Sequence, residues 1–389
     1  MADEDVYITN VAIHKVRHLK DIEIHLSDTE RKHLIFTGIN GSGKTSVLGS
    51  IRNILINQMP KNKVQKDKSR TIVTIMIGMK ILLNVEYSKY EDLYLNGKYI
   101  LAFFNAKRGS ELIQPTGMKK VDFKDKYEFS DKAGSELTQH IVNLQVDRLF
   151  AERDNDIETV NKIDNWFEMF EQSLKDIFED DELKLEFDRK NYNHNIIKKG
   201  RDKFTFNQLS DGYSAIFDIV LELIMRMEPH RAKSYDIQGI VLIDEIEAHL
   251  HVSLQKKILP FLTSFFPRIQ FIVTTHSPFV LSSIENAVIC DLQNNIIASD
   301  FSGYSYDGIV EAYFDIDKYS QDIKDKIEEY ERLVLSETLT REEKGKMIEL
   351  EIYLQKIPPF LSKELALKLM DIEEKREEKE NQPIMSLTR

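Results

Sequence analysis

A glycine-rich segment near the N-terminus constrains this chain more than any other feature. Residues 36–46 read FTGINGSGKTS, which places Gly38, Gly43, Lys44 and Thr45 in the spacing G-x-x-x-x-G-K-[ST]. An apolar run precedes the segment, and apolar residues at helical spacing follow it. Strand, glycine loop and helix in this order are typical of a P-loop, whose backbone amides surround phosphate oxygens. We therefore predict a nucleotide-binding α/β domain.

The residue types of the loop suit ATP and Mg²⁺, which are the predicted cofactors. Lys44 is long enough to reach the β- and γ-phosphates, and the Thr45 hydroxyl suits a Mg²⁺ that bridges them. The residues expected around the nucleotide are Asn40, Gly41, Ser42, Gly43, Lys44, Thr45 and Ser46. A P-loop alone does not separate kinases, GTPases, motors and repair ATPases.

Composition excludes several classes of protein. The chain has 389 residues, of which 42% are hydrophobic, enough for a large buried core. A net charge of -12 argues against general binding to nucleic acid, so any such contact would be local. No apolar run reaches bilayer length and the start is acidic, so we expect a cytoplasmic protein without membrane contact. The single cysteine, Cys290, is expected to be a buried strand residue.

Strand patterns dominate the region around the P-loop. Residues 7–26 predict two strands joined by a turn near residues 18–21. Further strand-like runs are 71–77, 80–87, a hairpin over Leu93–Ile100 around Asn96-Gly97, and Ile100–Phe104. A β-rich lobe on the nucleotide site is therefore expected.

A polar and charged segment, about residues 106–200, is predicted to be a mainly helical insertion. Apolar residues at helical spacing mark one amphipathic helix within it: Ile163, Trp166, Phe167, Phe170, Leu174 and Ile177. Two basic groups, Lys61–Arg70 and Arg189–Lys203, are candidate contacts for nucleic acid or a partner. Solvated loops commonly have the same composition, so that alternative stays open.

The segment Phe206–Met227 contains a predicted helix whose first turn, Ser210-Asp211-Gly212, consists of small or hydrogen-bonding residues. Ser210 is its expected N-cap, and an apolar stripe follows Gly212. Because N–H groups at a helix start bind anions, Ser210 and Gly212 are candidate phosphate contacts.

Two buried strands end in polar groups. Gly239–Glu245 reads GIVLIDE, in which Asp244 suits Mg²⁺ and Glu245 suits a base that orients the attacking water. Phe271–Pro278 reads FIVTTHSP, in which the predicted strand ends at His276, a residue able to sense or stabilise a γ-phosphate.

The order P-loop, LSDGY, apolar strand with Asp-Glu, then TTHS resembles the ABC-class ATPase heads of the RecF, SMC, Rad50 and OLD-like branch. The resemblance implies an α/β ABC-type P-loop head with a mixed sheet over residues 1–305, interrupted by the insertion, and a C-terminal helical region over 306–389. In such heads, the signature helix of one subunit closes on ATP held by another. Ser210 and Gly212 would accordingly act in trans within a homodimer or higher homo-oligomer.

The resemblance also implies ATP hydrolysis to ADP and phosphate. Lys44, Glu245 and His276 would be catalytic, while Thr45 and Asp244 would hold Mg²⁺. The form LSDGY departs from the LSGGQ of transporters, which argues against a transporter subunit. A Q-loop glutamine is not assigned, and the candidates are Gln114, Gln139 and Gln145.

Long heptad arms are absent from the sequence pattern between the P-loop and LSDGY, so the chain is most similar to stand-alone ATPases of antiphage systems of the Septu, PARIS and retron-associated kinds. That similarity implies regulation of a separate nuclease or toxin. A RecF-like DNA-binding repair ATPase is the alternative. An OLD-like nuclease, suggested by Asp315-x-Asp317, is disfavoured because the tail predicts successive amphipathic helices.

Overall fold

The chain divides into two units, Met1–Ile309 and Val310–Arg389. The computed structural model describes residues 5–57, 78–109, 112–230, 236–299, 301, 321–336, 338–355 and 363–380. The strands are β1 Ile8–Val16, β2 Leu19–His25, β3 His33–Thr37, β4 Met79–Leu83, β5 Ile100–Phe104, β6 Lys184–Asp188, β7 Asn193–Ile197, β8 Gly239–Ile243, β9 Ile269–Thr274, β10 Ala287–Asp291 and β11 Ile296–Ser299. The helices of the first unit are α1 Lys44–Asn57, α2 Tyr87–Leu95, α3 Leu137–Arg153, α4 Ile157–Phe178, α5 Asp211–Met227, α6 Val252–Gln255, α7 Ile258–Phe265 and α8 Pro278–Leu281.

A six-stranded mixed sheet in the order β11-β10-β3-β9-β8-β5 is the centre of the first unit. Its strands are parallel except for β11, which is antiparallel to β10. Every residue of β3, β8, β9 and β10 is buried. This agrees with their continuous apolar runs, because a parallel sheet is covered on both faces. The predicted α/β P-loop fold class is confirmed.

An antiparallel sheet, β2-β1-β4, forms the β-rich lobe beside the main sheet. Helix α1 packs against strands of both sheets. It buries five apolar residues there: Val47, Leu48, Ile51, Ile54 and Leu55. These side chains share one core with residues of β1, β3, β8 and β10. The two predicted strands of residues 7–26 are confirmed as β1 and β2.

The predicted hairpin over Leu93–Ile100 is wrong. Helix α2 instead buries Tyr90 and Leu93 one turn apart, and Gly97 ends it with a φ of +68°. The Lys98 N–H donates to the Leu93 carbonyl at 2.8 Å, which closes the helix end. Asn-Gly therefore terminates a helix here, and the strand expected over residues 80–87 is only the shorter β4.

The segment 106–200 contains α3, α4 and a β6–β7 hairpin that the sequence did not predict. The predicted amphipathic helix is confirmed as α4, whose Phe170 and Trp166 rings stack at 5.1 Å. The predicted helix after Ser210 is confirmed as α5, most of whose length is buried. Cys290 lies buried in β10, as predicted, and burial raises the pKa of its thiol to about 12.

The second unit contains the helices α9 Gln321–Leu335, α10 Arg341–Gln355 and α11 Lys363–Glu380, in agreement with the predicted helical tail. Their core consists of Ile327, Tyr330, Leu333, Val334, Leu350, Leu354 and Ile372. In the part of the chain that the structure describes, every helix is too short or too polar to cross a membrane. Three predicted features lie outside the described residues: Lys61–Arg70, the strand at 71–77, and Asp315-x-Asp317.

Buried His33 makes stability depend on pH. Its Nδ1 accepts the Phe271 N–H at 3.0 Å, and burial lowers its pKa from 6.5 to about 3. Between these values the unfolded chain binds a proton that the folded chain does not, so the free energy of unfolding falls as pH falls. From this group alone we expect a slope of about 1.4 kcal/mol per pH unit.

Urea unfolding at several pH values between 5 and 6.5 should therefore give a shallower slope for His33→Gln than for the parent. His25→Gln, at an exposed histidine, is the matched control and should leave the slope unchanged. Equal slopes for the parent and His33→Gln would contradict this assignment.

Candidate functional site

The predicted site residues lie at one edge of the main sheet. In the register of the sheet, Phe36 pairs with Thr274, and Ile243 pairs with both Val273 and Phe104. The carboxyl ends of β3, β9, β8 and β5 therefore meet at this edge. The loops that follow carry the P-loop, the Asp-Glu pair, His276 and an arginine, Arg108.

All three glycines of the P-loop occupy conformations that side chains rarely adopt, and two of them also lack space for a Cβ. Gly38 has a φ of +129° and Gly43 a φ of +100°. A Cβ added to Gly38 would lie 2.8 Å from the Ser42 Oγ, and one on Gly43 would lie 2.9 Å from a Leu19 methyl carbon. Conformation and space thus both favour glycine, and the loop brings its backbone close around the start of α1.

Lys44 is buried against the loop that it follows. Its Nζ donates to the Gly38 carbonyl at 2.8 Å and to the Ile39 carbonyl at 3.0 Å. Burial lowers the pKa of the ammonium group, and nearby carboxylates oppose this shift: Glu245, Glu247, Asp244 and Asp291. A polyphosphate entering this site would therefore meet excess negative charge unless a cation came with it.

Asp244 accepts two hydroxyl hydrogen bonds on one oxygen. The Thr45 hydroxyl lies 3.2 Å from Asp244 Oδ1, and the Thr274 hydroxyl lies 2.7 Å from the same atom. Asp244 is only 5% exposed, so its charge requires such partners. Hydroxyl and carboxylate oxygens are the ligands that Mg²⁺ prefers, so Thr45 and Asp244 fit the predicted ion.

Glu245 follows in a constrained backbone conformation. Its φ is +46°, in the left-handed region that non-glycine residues rarely occupy. The Glu245 N–H donates to the Thr274 hydroxyl at 2.7 Å. Thr274 thus connects both members of the Asp-Glu pair, a role that the sequence pattern alone did not reveal.

His276 lies beside the P-loop. The backbone N–H of His276 donates to the Glu247 carboxylate, whose second oxygen, Oε2, has no hydrogen-bond partner among the described residues. Burial and the Lys44 charge lower the pKa of the His276 imidazole, while Glu247, Glu245 and the Gly38 carbonyl oppose the shift. The imidazole is therefore a neutral hydrogen-bonding group near pH 7.

Ser210 and Gly212 form a surface at the start of α5, where Gly212 lies next to the segment that follows the Asp-Glu pair. Ser210 occupies the N-cap position, but its side chain makes no cap hydrogen bond and is exposed. A Cβ on Gly212 would lie 3.0 Å from the His249 carbonyl oxygen. Among the hydrogen bonds of the described residues, none joins this surface to the P-loop of the same chain.

The candidate Q-loop residues lie in other surroundings. Gln139 is buried, and its amide donates to the Gly117 carbonyl at 2.9 Å and to Asn143 at 3.1 Å. Gln114 is exposed and Gln145 half-buried. Arg108, which no sequence motif marks, instead contacts the Asp-Glu turn.

Three of the six basic residues in Arg189–Lys203 form ion pairs within the chain. Lys199 Nζ lies 2.9 Å from a Glu182 oxygen, and Lys203 forms an ion pair with Glu186. Lys198 lies 3.9 Å from Asp180. These pairs reduce the positive potential that a nucleic acid would meet.

Comparison with known proteins gives a family match over part of the chain. Residues 124–282 match the family described as AAA domain, putative AbiEii toxin, Type IV TA system. Septu protein PtuA of Bacillus mycoides is 26% identical over 74% of this chain, and the retron Ec83 probable ATPase of Escherichia coli is 34% identical over 39%. The resemblance to Septu and retron-associated ATPases is confirmed.

Only part of each relative is matched. The alignments cover 41% of the Septu protein and 30% of the retron protein. Among solved structures, an SMC head bound to the C-winged helix domain of ScpA is 13% identical with a TM-score of 0.41, and the alignment covers 76% of this chain and 98% of that one.

The bridging role of Thr274 can be tested by stability. Thr274→Val keeps the shape of the side chain but removes the hydroxyl, so the Asp244 carboxylate and the Glu245 N–H each lose a partner. Thr274 is fully buried, so we expect the free energy of unfolding to fall by about 1–3 kcal/mol. Thr274→Ser keeps the hydroxyl and should lose less. Equal urea-unfolding midpoints for the two variants would contradict the bridge.

Proposed function

We propose that this chain is an ATPase and that two copies of it pair head to tail around ATP. The observation that carries the proposal is the hydrogen-bonded series Thr45, Asp244, Thr274 and Glu245 beside the Lys44 loop. It gathers phosphate-binding, metal-binding and water-orienting groups at one sheet edge. The match to the AAA-domain family and the name of the retron probable ATPase support the same reaction.

Each side chain has a distinct part in hydrolysis. The amides of Asn40–Ser46 and Lys44 hold the phosphates, and Glu245 orients and deprotonates the attacking water. Thr45 and Asp244 would hold Mg²⁺, and the ion would supply positive charge to neutralise the phosphates. His276, neutral near pH 7, donates a hydrogen bond to the γ-phosphate without adding charge.

The surface at Ser210 and Gly212 supports pairing between copies. The Ser210 hydroxyl is exposed and is not used as a helix cap. The N-terminal end of α5 therefore has donors to offer to the γ-phosphate held by another chain. On this proposal neither copy holds a complete site.

We propose that paired heads regulate a separate nuclease or toxin in antiphage defence, in the cytoplasm. The Septu and retron relatives support this setting, and the family description names a toxin and a type IV TA system. A DNA-binding repair ATPase is less well supported, because lysines within Arg189–Lys203 are paired with carboxylates.

Mixing two inactive variants tests both the reaction and the pairing. Lys44→Ala disables the P-loop, and Ser210→Arg places a bulky side chain at an exposed position where its own chain tolerates it. We expect each variant alone to lose ATP hydrolysis. Their equimolar mixture should regain activity, because mixed pairs join the intact P-loop of one chain to the intact Ser210 of the other.

The control is the double variant Lys44→Ala/Ser210→Arg, which should restore neither single variant. Phosphate release measured at several total concentrations reports the recovery. Full activity of Ser210→Arg alone, or no gain on mixing, would contradict pairing in trans. Absence of ATP hydrolysis by the parent would contradict the proposed reaction itself.

A further inference from the structure

Arg108 closes the turn that follows β8. Its Nη1 donates to the Asp244 carbonyl at 2.7 Å, and its Nη2 donates to the Glu245 carbonyl at 2.8 Å and to the Ile246 carbonyl at 3.0 Å. Three successive carbonyl oxygens of the Asp-Glu turn therefore face one guanidinium group. The planar fork of arginine suits such a set, whereas a lysine ammonium is a single compact donor centre.

The topology explains how a residue distant in sequence reaches this turn. Strand β5 pairs with β8 in parallel, and Phe104 lies opposite Ile243. The Asp244 N–H donates to the Phe104 carbonyl at 2.8 Å, so the chain leaving β5 starts beside the Asp-Glu turn. Four residues later, the side chain of Arg108 returns to the carbonyls of that turn.

The Glu245 backbone is thus held on both sides. Its N–H donates to Thr274, and its carbonyl accepts from Arg108. A non-glycine residue with positive φ is strained, and it persists only where its surroundings determine the conformation. Arg108 and Thr274 supply that determination.

Arg108 keeps its positive charge in this position. Burial lowers the pKa of Arg108, and the carboxylates Glu247, Asp218, Asp244 and Glu245 oppose the shift. A guanidinium group retains its proton at neutral pH even when burial lowers its pKa. A permanent cation therefore stays behind the turn that carries the Asp-Glu pair.

We propose that Arg108 is a positioning residue for Glu245. By fixing the carbonyls of the turn, it holds the Glu245 carboxylate in the direction needed to orient the attacking water. This inference rests on the proposed ATPase function. Loss of Arg108 would act on the chemical step, because Lys44 and the P-loop amides that hold the nucleotide are not its partners.

The surroundings of Arg108 allow a direct chemical test. The residue lines a cleft of about 630 Å³ together with Arg52, Asp218 and Glu222. Its buried Nε atom has no hydrogen-bond partner among the described residues. A free guanidinium ion is small enough to enter such a cleft and to take the place of a deleted arginine side chain.

The experiment compares ATP hydrolysis by the parent and by Arg108→Ala of the full chain, with and without guanidinium chloride below unfolding concentrations. We expect kcat to fall about 10²-fold in Arg108→Ala with little change in KM. Guanidinium should restore part of kcat, whereas NaCl at equal ionic strength should not. Arg52→Ala is the matched control. Arg52 lines the same cleft, but its guanidinium carbon lies over the Phe103 ring, 5.0 Å from the ring centre. We therefore expect kcat of Arg52→Ala to stay at the parental value.

Three results would overturn the inference: parental kcat in Arg108→Ala, a loss of kcat that guanidinium does not restore, or a rise in KM as large as the fall in kcat. Should the alanine variant fail to fold, Arg108→Lys keeps the charge, and parental kcat in that variant would also overturn it. Failure of the proposed function is distinguishable, because the parent would then not hydrolyse ATP at all.

Discussion

The parallel pairing of β3, β9, β8 and β5 is the constraint on which the site depends. Parallel strands end at the same edge, so residues from four distant segments meet without long loops. Asp244 shows the consequence, because its buried carboxylate is satisfied by Thr45 from one segment and Thr274 from another. Burying this carboxylate without those hydroxyls would be costly.

The charges around the P-loop favour a nucleotide that arrives with a cation. Lys44 lies among four carboxylates, so a nucleotide gains most when a divalent cation accompanies it. The start of α5, with its exposed Ser210, makes no hydrogen bond to the P-loop of its own chain among the described residues. On our proposal, each copy offers one half of a site, and the free energy of ATP binding is used to join the halves.

Features with a periodic or spaced pattern could be predicted from the sequence. The apolar runs of β8 and β9 and the stripe of α4 were predicted correctly. Arg108 could not be, because its partners are backbone carbonyls and leave no trace in the sequence. The Asn96-Gly97 pair suits a hairpin and a helix end equally, and only the packing of Tyr90 and Leu93 decides between them. Similarly, Lys199 and Lys203 form a basic group in sequence, whereas the fold pairs them with Glu182 and Glu186.

The molar mass of Glu245→Gln in solution tests the central claim most directly. This variant should bind ATP and hydrolyse it slowly, so paired heads should accumulate. Light scattering should give the monomer mass without nucleotide and twice that mass with ATP and Mg²⁺. A mass that does not change with saturating ATP would contradict the proposal that two copies complete one another's sites.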